Sequence, residues 1–189
     1  MTDHALAETR AWVEHAVIGL QLCPFAKAPQ VKGQVRYVIS EAVDADALLS
    51  DLADELKLLA ATPSDGIETT LLVHPRVFAD FEDHNDFLEI AEAALVALDL
   101  EGVIQIASFH PQYRFADSDP ADIANATNRA PYPTLHLLRE ESIERALATF
   151  ADPDSIFEAN IATMERLGPE GWAALRRRCR DDADADTAS

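Results

Sequence analysis

The chain has 189 residues, of which 48% are hydrophobic and 26% charged, a composition typical of one soluble globular domain with a sizeable core. Its 34 acidic residues outnumber 15 lysines and arginines, giving a formal net charge of -19. Such a field repels phosphate backbones and anionic lipid surfaces, so we expect neither nucleic acid nor an acidic membrane as a main partner.

Hydrophobic periodicity predicts alternating helices and strands along the chain. Apolar residues at helical spacing from about Ala5 predict a first helix that ends at Pro24. Runs of β-branched and apolar residues predict four strands, and amphipathic spacing predicts the other helices. The strands are expected at Val35–Ile39, Thr69–Val73, Val103–Phe109 and Thr134–Leu138, and the helices at Ala47–Leu59, Phe78–Leu100 (capped at Asn85 or Asp86), Ser142–Thr149, Ser155–Leu167 and Pro169–Arg180.

This order predicts an α/β fold. Strands that alternate with helices imply βαβ crossovers, and hence a mixed, mainly parallel sheet of about four strands with helices on both faces. The fourth strand follows a loop and is expected to run antiparallel at an edge. The order βαβαββα also leaves a thioredoxin-like arrangement as an alternative. Residues 1–180 are expected to form a single α/β domain, and residues 181–189 an acidic solvated tail.

Histidines close two of the predicted strands. His74 in LLVHP and His110 in SFHP each precede a proline, which fixes the direction in which the chain leaves the strand. In parallel neighbours both would reach the carboxyl edge of the sheet, where ligands usually bind. They are candidate acid/base groups or, with His136 of PTLHLL, ligands to one divalent metal ion. The alternative is that each is a hydrogen-bonded core histidine, and His84 is expected on a solvated helix face.

Cys23, in LCPFAK, is a third candidate catalytic group. Ala26 stands where the second thiol of a CxxC motif would lie, which argues against dithiol exchange. A lone thiolate can still act as a nucleophile or a metal ligand, whereas a buried free cysteine is the structural alternative. A disulfide between Cys23 and Cys179 is not expected in a reducing compartment.

The segment 111–133 lacks periodicity, and a loop of this length inside a domain is usually functional or disordered. Arg114, Asn128 and Arg129 can bind a carboxylate or phosphate through directional hydrogen bonds, with Tyr132 lining the pocket. We therefore expect a small anionic ligand at this loop. The alternative is that the arginines pair with the loop's own aspartates and only hold it in place.

Targeting signals and common nucleotide motifs are missing from the sequence. No stretch approaches the ~18 consecutive apolar residues of a membrane span. The N-terminal residues lack the basic start and unbroken apolar run of a signal peptide, so a cytoplasmic location is expected. Dinucleotide, P-loop, serine hydrolase and zincin motifs are also absent.

Six segments carry a family resemblance: LCPFAK, LLVHP, DHNDFL, SFHPQYRFA, TNRAPYPTLHLLRE and IATMERLG. Together they resemble the bacterial family catalogued as domain of unknown function 1415, over residues 8 to 175. The TNRAPYPTLHLLRE block is long enough to be specific. The resemblance implies kinship and no particular reaction.

The preferred function is a cytoplasmic enzyme acting on a small anionic metabolite, with a histidine-centred acid/base or metal site at the carboxyl edge of the sheet. The reaction itself is not specified by the sequence. One alternative is a non-catalytic ligand-binding or adaptor module that uses the 111–133 loop. Another is a thiol enzyme centred on Cys23.

Overall fold

The computed structural model describes residues 2–148 and 154–188. Within them no helix is both long and apolar enough to span a membrane. The strands are β1 (Val35–Ile39), β2 (Thr69–Val73), β3 (Ile104–Phe109) and β4 (Thr134–Arg139). The helices are α1 (Thr2–Trp12), which continues as a π-helical segment (Val13–Ile18), α2 (Lys27–Val31), α3 (Ala45–Ala61), α4 (Phe81–Ala97), a 3-10 helix (Ile123–Asn128), α5 (Glu140–Leu147) and α6 (Asp154–Thr187).

The four strands form one mixed sheet in the order β1-β2-β4-β3. β1 pairs with β2 in parallel, whereas β4 pairs antiparallel with both β2 and β3. The α/β class and the antiparallel β4 are confirmed, but the prediction of a mainly parallel sheet is wrong. From β1 to α5 the chain order is βαβαββα, as in the thioredoxin-like alternative.

The prediction that β4 lies at an edge is also wrong, and burial explains why. Leu135 and Leu137 are fully buried and Thr134 is 1% exposed. A strand with this burial is shielded from water by helices on both faces and by a neighbouring strand on each side. The long segment between β3 and β4 lets the chain turn back and insert β4 beside β2. β3, which is only partly buried, is left at the edge.

Helices cover both faces of the sheet, as predicted. On one face, here called the α3/α4 face, those two helices pack on Leu72, Leu135 and Leu137. On the other, the α1/α6 face, α1, the π-helical segment and α6 pack on Leu71 and Phe109. Side chains along β4 therefore alternate between the α3/α4 face, where Leu135 and Leu137 lie, and the α1/α6 face, where His136 contacts Phe109.

The start of α4 differs from the expected cap at Asn85 or Asp86. Asp80 caps the helix instead, and its side chain accepts hydrogen bonds from the backbone N–H groups of Glu82 and Asp83. The helix therefore begins at Phe81, five residues before Asp86. This early start places His84 in the first turn of a helix whose inner face is buried.

The C-terminal helix has the predicted break and continues through the residues that were expected to form a tail. Gly168 has a φ of 68° and the following residue is proline, which separates two helical halves at the expected boundary. Residues 181–187 continue α6 as helix, and all of them except Ala183 are exposed; residue 189 lies outside the described residues, as does Thr149 of the predicted Ser142–Thr149 helix. Ala183 is 1% exposed, and His15 Nε2 lies 2.6 Å from Asp182 Oδ2, so this segment packs against the N-terminal helices.

Candidate functional site

Three histidines stack at the carboxyl ends of β2 and β3. The ring centroids of His74 and His84 are 5.2 Å apart, and those of His84 and His110 are also 5.2 Å apart. All three side chains have 0% exposure. The strand ends thus bring His74 and His110 to one place, as the sequence suggested, while α4 inserts His84 between them. The expectation that His84 lies on a solvated face is wrong.

His110 has a partner at each ring nitrogen. Its Nδ1 accepts a hydrogen bond from the Gln112 backbone N–H at 3.0 Å, so Nε2 carries the proton and donates to the Phe78 carbonyl at 3.2 Å. Phe78 has a φ of 58°, an unfavourable conformation for an aromatic residue, and it supplies this carbonyl. His110 is therefore a fully hydrogen-bonded neutral imidazole.

The other two rings are less well satisfied. His74 donates from Nδ1 to the Val77 carbonyl at 3.2 Å, and its Nε2 has no partner in the described part of the chain. Neither ring nitrogen of His84 has a partner among the described residues. A buried imidazole without a hydrogen bond is destabilising, because its polar atoms have lost water without replacement.

Burial keeps the stack uncharged. It lowers the pKa of His74 to about 4 and that of His84 to about 3, and it also lowers the pKa of His110. The neighbouring imidazoles add to the effect at His74 and His84, because two protonated rings would repel each other. At neutral pH the stack therefore behaves as an aromatic layer and not as a set of cations.

His136 does not join this stack. Its Nε2 lies 2.8 Å from Thr69 Oγ1, and its ring centroid is 6.0 Å from that of Phe109, on the α1/α6 face. Burial lowers its pKa to about 4. His74, His110 and His136 thus do not fit a common metal ion. Across residues 2–148 and 154–188, no cluster of three or more histidine, cysteine or acidic residues is placed to hold one.

A pocket of about 360 Å³ lies at the end of β3, on the α1/α6 side. It is bounded by the π-helical segment and the chain after it, by β3, by the loop before β4 and by α6. No charged side chain of the described chain lines it. Its lining residues are Val17, Leu22, Cys23, Ala107, Ser108, Phe109, Tyr113, Thr127, Asn128 and Asn160.

The π-helical segment shapes one wall of this pocket. The Gly19 N–H donates to the Glu14 carbonyl at 3.0 Å, a wider turn than that of an α-helix. Gly19 is required here, because a Cβ atom at this position would clash with the carbonyl oxygen of His15. The chain then turns so that the Cys23 N–H meets the Val17 carbonyl at 3.4 Å, which brings both residues to the pocket.

Cys23 is a predicted site residue that does reach the pocket. Burial raises the pKa of its thiol, and the backbone N–H groups of Phe25 and Ala26 oppose this rise in part. The thiol is therefore neutral at physiological pH and a weak nucleophile. Cys23 and Cys179 are both free, as expected.

Asn128 also lines the pocket, together with three polar residues that the sequence did not single out: Ser108, Thr127 and Asn160. Asn128 hydrogen-bonds the Tyr113 hydroxyl, whose pKa is nevertheless raised by burial. Asn160 donates from Nδ2 to the Leu22 carbonyl at 2.8 Å, which ties α6 to the opposite wall. An asparagine in an otherwise amphipathic helix gave no signal in the sequence. The pocket therefore presents amide, hydroxyl and thiol groups.

The two arginines of the loop are directed elsewhere. Arg129 donates from Nε to the Tyr113 carbonyl at 3.0 Å and from Nη2 to the Pro120 carbonyl at 2.8 Å. Arg114 forms an ion pair with Glu82 of α4. Arg129 thus holds the loop in place, as in the structural alternative, although it binds carbonyl oxygens instead of aspartates.

Two further side chains fix the loop. Asn125 has 0% exposure and accepts hydrogen bonds from the Phe115 N–H at 2.9 Å and from Ser118 Oγ at 2.8 Å. Tyr132 donates its hydroxyl proton to Glu8 of α1 at 2.8 Å and is not among the pocket residues. These hydrogen bonds hold the loop in one conformation, and the loop forms one wall of the pocket.

The comparison with known families agrees with the resemblance seen in the sequence. A family model described as protein of unknown function (DUF1415) matches residues 4–174. The chain belongs to this family. The histidine stack and every pocket residue lie within the matched segment. No curated protein and no solved structure matches the chain.

Proposed function

We propose that this chain is a ligand-binding protein that holds a small, uncharged, polar molecule in the pocket at the end of β3. One observation carries the proposal: a cavity of about 360 Å³ is lined by convergent polar groups and, among the described residues, by no charged side chain. Small-molecule sites commonly have volumes of ~300–1,000 Å³ and few polar groups on an apolar wall. The loop supplies Tyr113, Thr127 and Asn128.

The lining favours an uncharged ligand. Burying a charge without a counter-charge costs roughly several kcal/mol, and no lining residue of the described chain supplies a counter-charge. The nearest candidates for holding an anion are already engaged, since Arg114 pairs with Glu82 and Arg129 binds two carbonyl groups. The small anionic molecule expected from the sequence is therefore the alternative that the experiment below includes.

The same geometry favours binding over catalysis. A thiol nucleophile needs a lowered pKa or an adjacent base, whereas burial raises the pKa of Cys23 and no imidazole lines the pocket. His74 and His110 lie in the histidine stack with 0% exposure and are not among the pocket residues. The histidine-centred and thiol-centred reactions stay predictions, without support from these positions.

The experiment compares a neutral probe with its charged counterpart. N-acetyl-L-alanine N-methylamide and N-acetyl-L-alanine, which is anionic at neutral pH, are titrated into isotope-labelled protein and followed by amide chemical shifts. We expect the neutral amide to shift the signals of Ser108, Asn128 and Asn160. We expect the anion to leave them in place.

A pocket-filling variant provides the control. Ala107→Phe fills the cavity and should abolish the shifts. Gln105→Phe places the same side chain two residues earlier on the same strand face, at an exposed position outside the pocket, and should preserve them. Binding that survives Ala107→Phe, or an anion that binds as tightly as the amide, would contradict the proposal.

A further inference from the structure

We propose that the pocket recognises a peptide-like amide through the open edge of β3, so that its ligand is a blocked amino acid or a short extended peptide with uncharged ends. This inference rests on the proposed function and adds the chemical class of the ligand. Its physical basis is the backbone of Ser108. That residue lines the pocket and belongs to an edge strand.

The register shows which backbone groups of β3 face outward. The Glu140 N–H donates to the Val103 carbonyl at 3.0 Å, so this opposed pair is hydrogen-bonded across β3 and β4. Hydrogen-bonded pairs alternate along an antiparallel ladder. Residues 105, 107 and 109 therefore bond to β4, and residues 104, 106 and 108 direct their N–H and C=O groups to the open edge.

The next residue in the outward series confirms this direction. The His110 N–H donates away from β4, to the Asn128 carbonyl at 3.3 Å, so the loop closes the end of the edge. At the other end, the Ile104 N–H donates to the Leu100 carbonyl at 3.1 Å. Between these two closed ends, the Ser108 N–H and C=O have no hydrogen-bond partner among residues 2–148 and 154–188.

An outward N–H and C=O on one residue match an extended amide ligand. In a sheet such a pair exchanges two hydrogen bonds with the opposed residue of a neighbouring strand, and added peptides use exposed edges in this way. A ligand carbonyl would accept from the Ser108 N–H, and a ligand N–H would donate to the Ser108 carbonyl. An unpaired edge that opens into a pocket is thus a ready hydrogen-bond template.

The surrounding side chains fit the rest of such a ligand. Val17, Leu22 and Phe109 give an apolar wall for one small side chain. The Asn160 Nδ2 is held by the Leu22 carbonyl, which leaves its Oδ1 as an acceptor for a second amide N–H. The absence of charged side chains in the described lining favours blocked ends, or the interior of a peptide, over free termini.

The first test changes one atom group of the probe. O-acetyl-L-lactic acid N-methylamide is neutral and nearly the same shape as N-acetyl-L-alanine N-methylamide, but an ester oxygen replaces the alanine N–H that would reach the Ser108 carbonyl. We expect the ester to bind about five-fold more weakly, the effect of one lost hydrogen bond. The amide should also shift the Ser108 backbone signal downfield, as hydrogen bonding to its N–H requires.

The second test changes the protein. Ser108→Pro removes the backbone donor, and an edge strand tolerates proline where the N–H lies outside the ladder. It should abolish amide binding, whereas Ser108→Ala keeps the donor and should bind as the wild type does. If Ser108→Pro does not fold, the comparison of amide and ester on the wild-type protein decides the question.

The outcomes separate the two proposals. Equal binding of amide and ester, with pocket signals shifted but Ser108 unmoved, would overturn the edge pairing and leave the pocket as a binding site. Failure of both neutral probes to shift any pocket signal would overturn both proposals. Weaker binding of the ester, together with loss of amide binding in the Ser108→Pro variant, would establish that the pocket binds peptide-like amides.

Discussion

Acidification is expected to destabilise this protein through its buried imidazoles. Burial lowers the folded-state pKa of His74 and His136 to about 4 and that of His84 to about 3, from an ordinary value of 6.5. Below the ordinary value the unfolded chain binds more protons than the folded chain. The stabilisation is therefore complete above about pH 6.5 and is lost as the pH falls toward the folded-state values.

The size of the loss follows from these values. Between pH 7 and pH 5 each of the three imidazoles removes roughly 2 kcal/mol from the free energy of unfolding, or roughly 6 kcal/mol together. The His84→Leu variant lacks one of these three imidazoles, so it should lose only roughly 4 kcal/mol over the same interval. At pH 7 it should be at least as stable as the wild type, because it removes two buried ring nitrogens that lack partners.

Urea unfolding at pH 7 and pH 5, followed by tryptophan fluorescence, measures these differences. Phe87→Leu is the matched control, since it changes a buried residue of the same helix that does not titrate. It should lower stability at both pH values and keep the wild-type pH dependence. Carboxylates are common to all three proteins and cancel in the comparison. If His84→Leu loses as much stability as the wild type between the two pH values, burial does not hold His84 neutral and the reasoning fails.

Three other predictions concern single side chains. Arg139→Met removes hydrogen bonds to three carbonyls at and beyond the end of α3. The substitution should lower the free energy of unfolding by about 2 kcal/mol and the calorimetric Tm by roughly 4–8 °C, and an unchanged Tm would count against this role of Arg139. Arg114→Ala breaks only an exposed ion pair with Glu82 and should leave Tm and amide-probe binding unchanged, whereas weaker binding would place the guanidinium at the ligand. Iodoacetamide should alkylate the partly exposed Cys23 before the buried Cys179, and both more slowly than free cysteine, because burial raises both pKa values. Mass spectrometry at increasing pH measures the rates, and equal alkylation rates for Cys23 and Cys179 would refute this prediction.

Local chemistry predicted the strands better than their arrangement. β1 and β2 begin and end at the predicted residues, because turn-forming residues flank short apolar and β-branched runs. The order of strands in the sheet depends instead on which strand is buried enough to lie between two other strands. In β4 the residues Thr134, Leu135 and Leu137 are buried, which is typical of a central strand, and this burial outweighs the loop that precedes the strand.

The candidate site was predicted in part. His74 and His110 converge as the strand-His-Pro pattern suggested, but His84 was missed because the cap of α4 was placed at Asn85 or Asp86 and not at Asp80. The pocket itself depends on tertiary structure, since its residues come from segments far apart in the chain. Backbone groups on a strand edge leave no trace in residue type, so no sequence pattern could have shown them.

The most direct measurement of the central claim locates a bound probe within the pocket. Intermolecular NOEs are recorded between N-acetyl-L-alanine N-methylamide and the methyl groups of the protein. We predict contacts to Val17 and Ala107, which line the pocket, and none to Val43 or Val96, which are each 58% exposed elsewhere on the surface. Contacts to the surface valines alone, or no contact to Val17 and Ala107 at saturating probe, would contradict the assignment of this pocket as the ligand site.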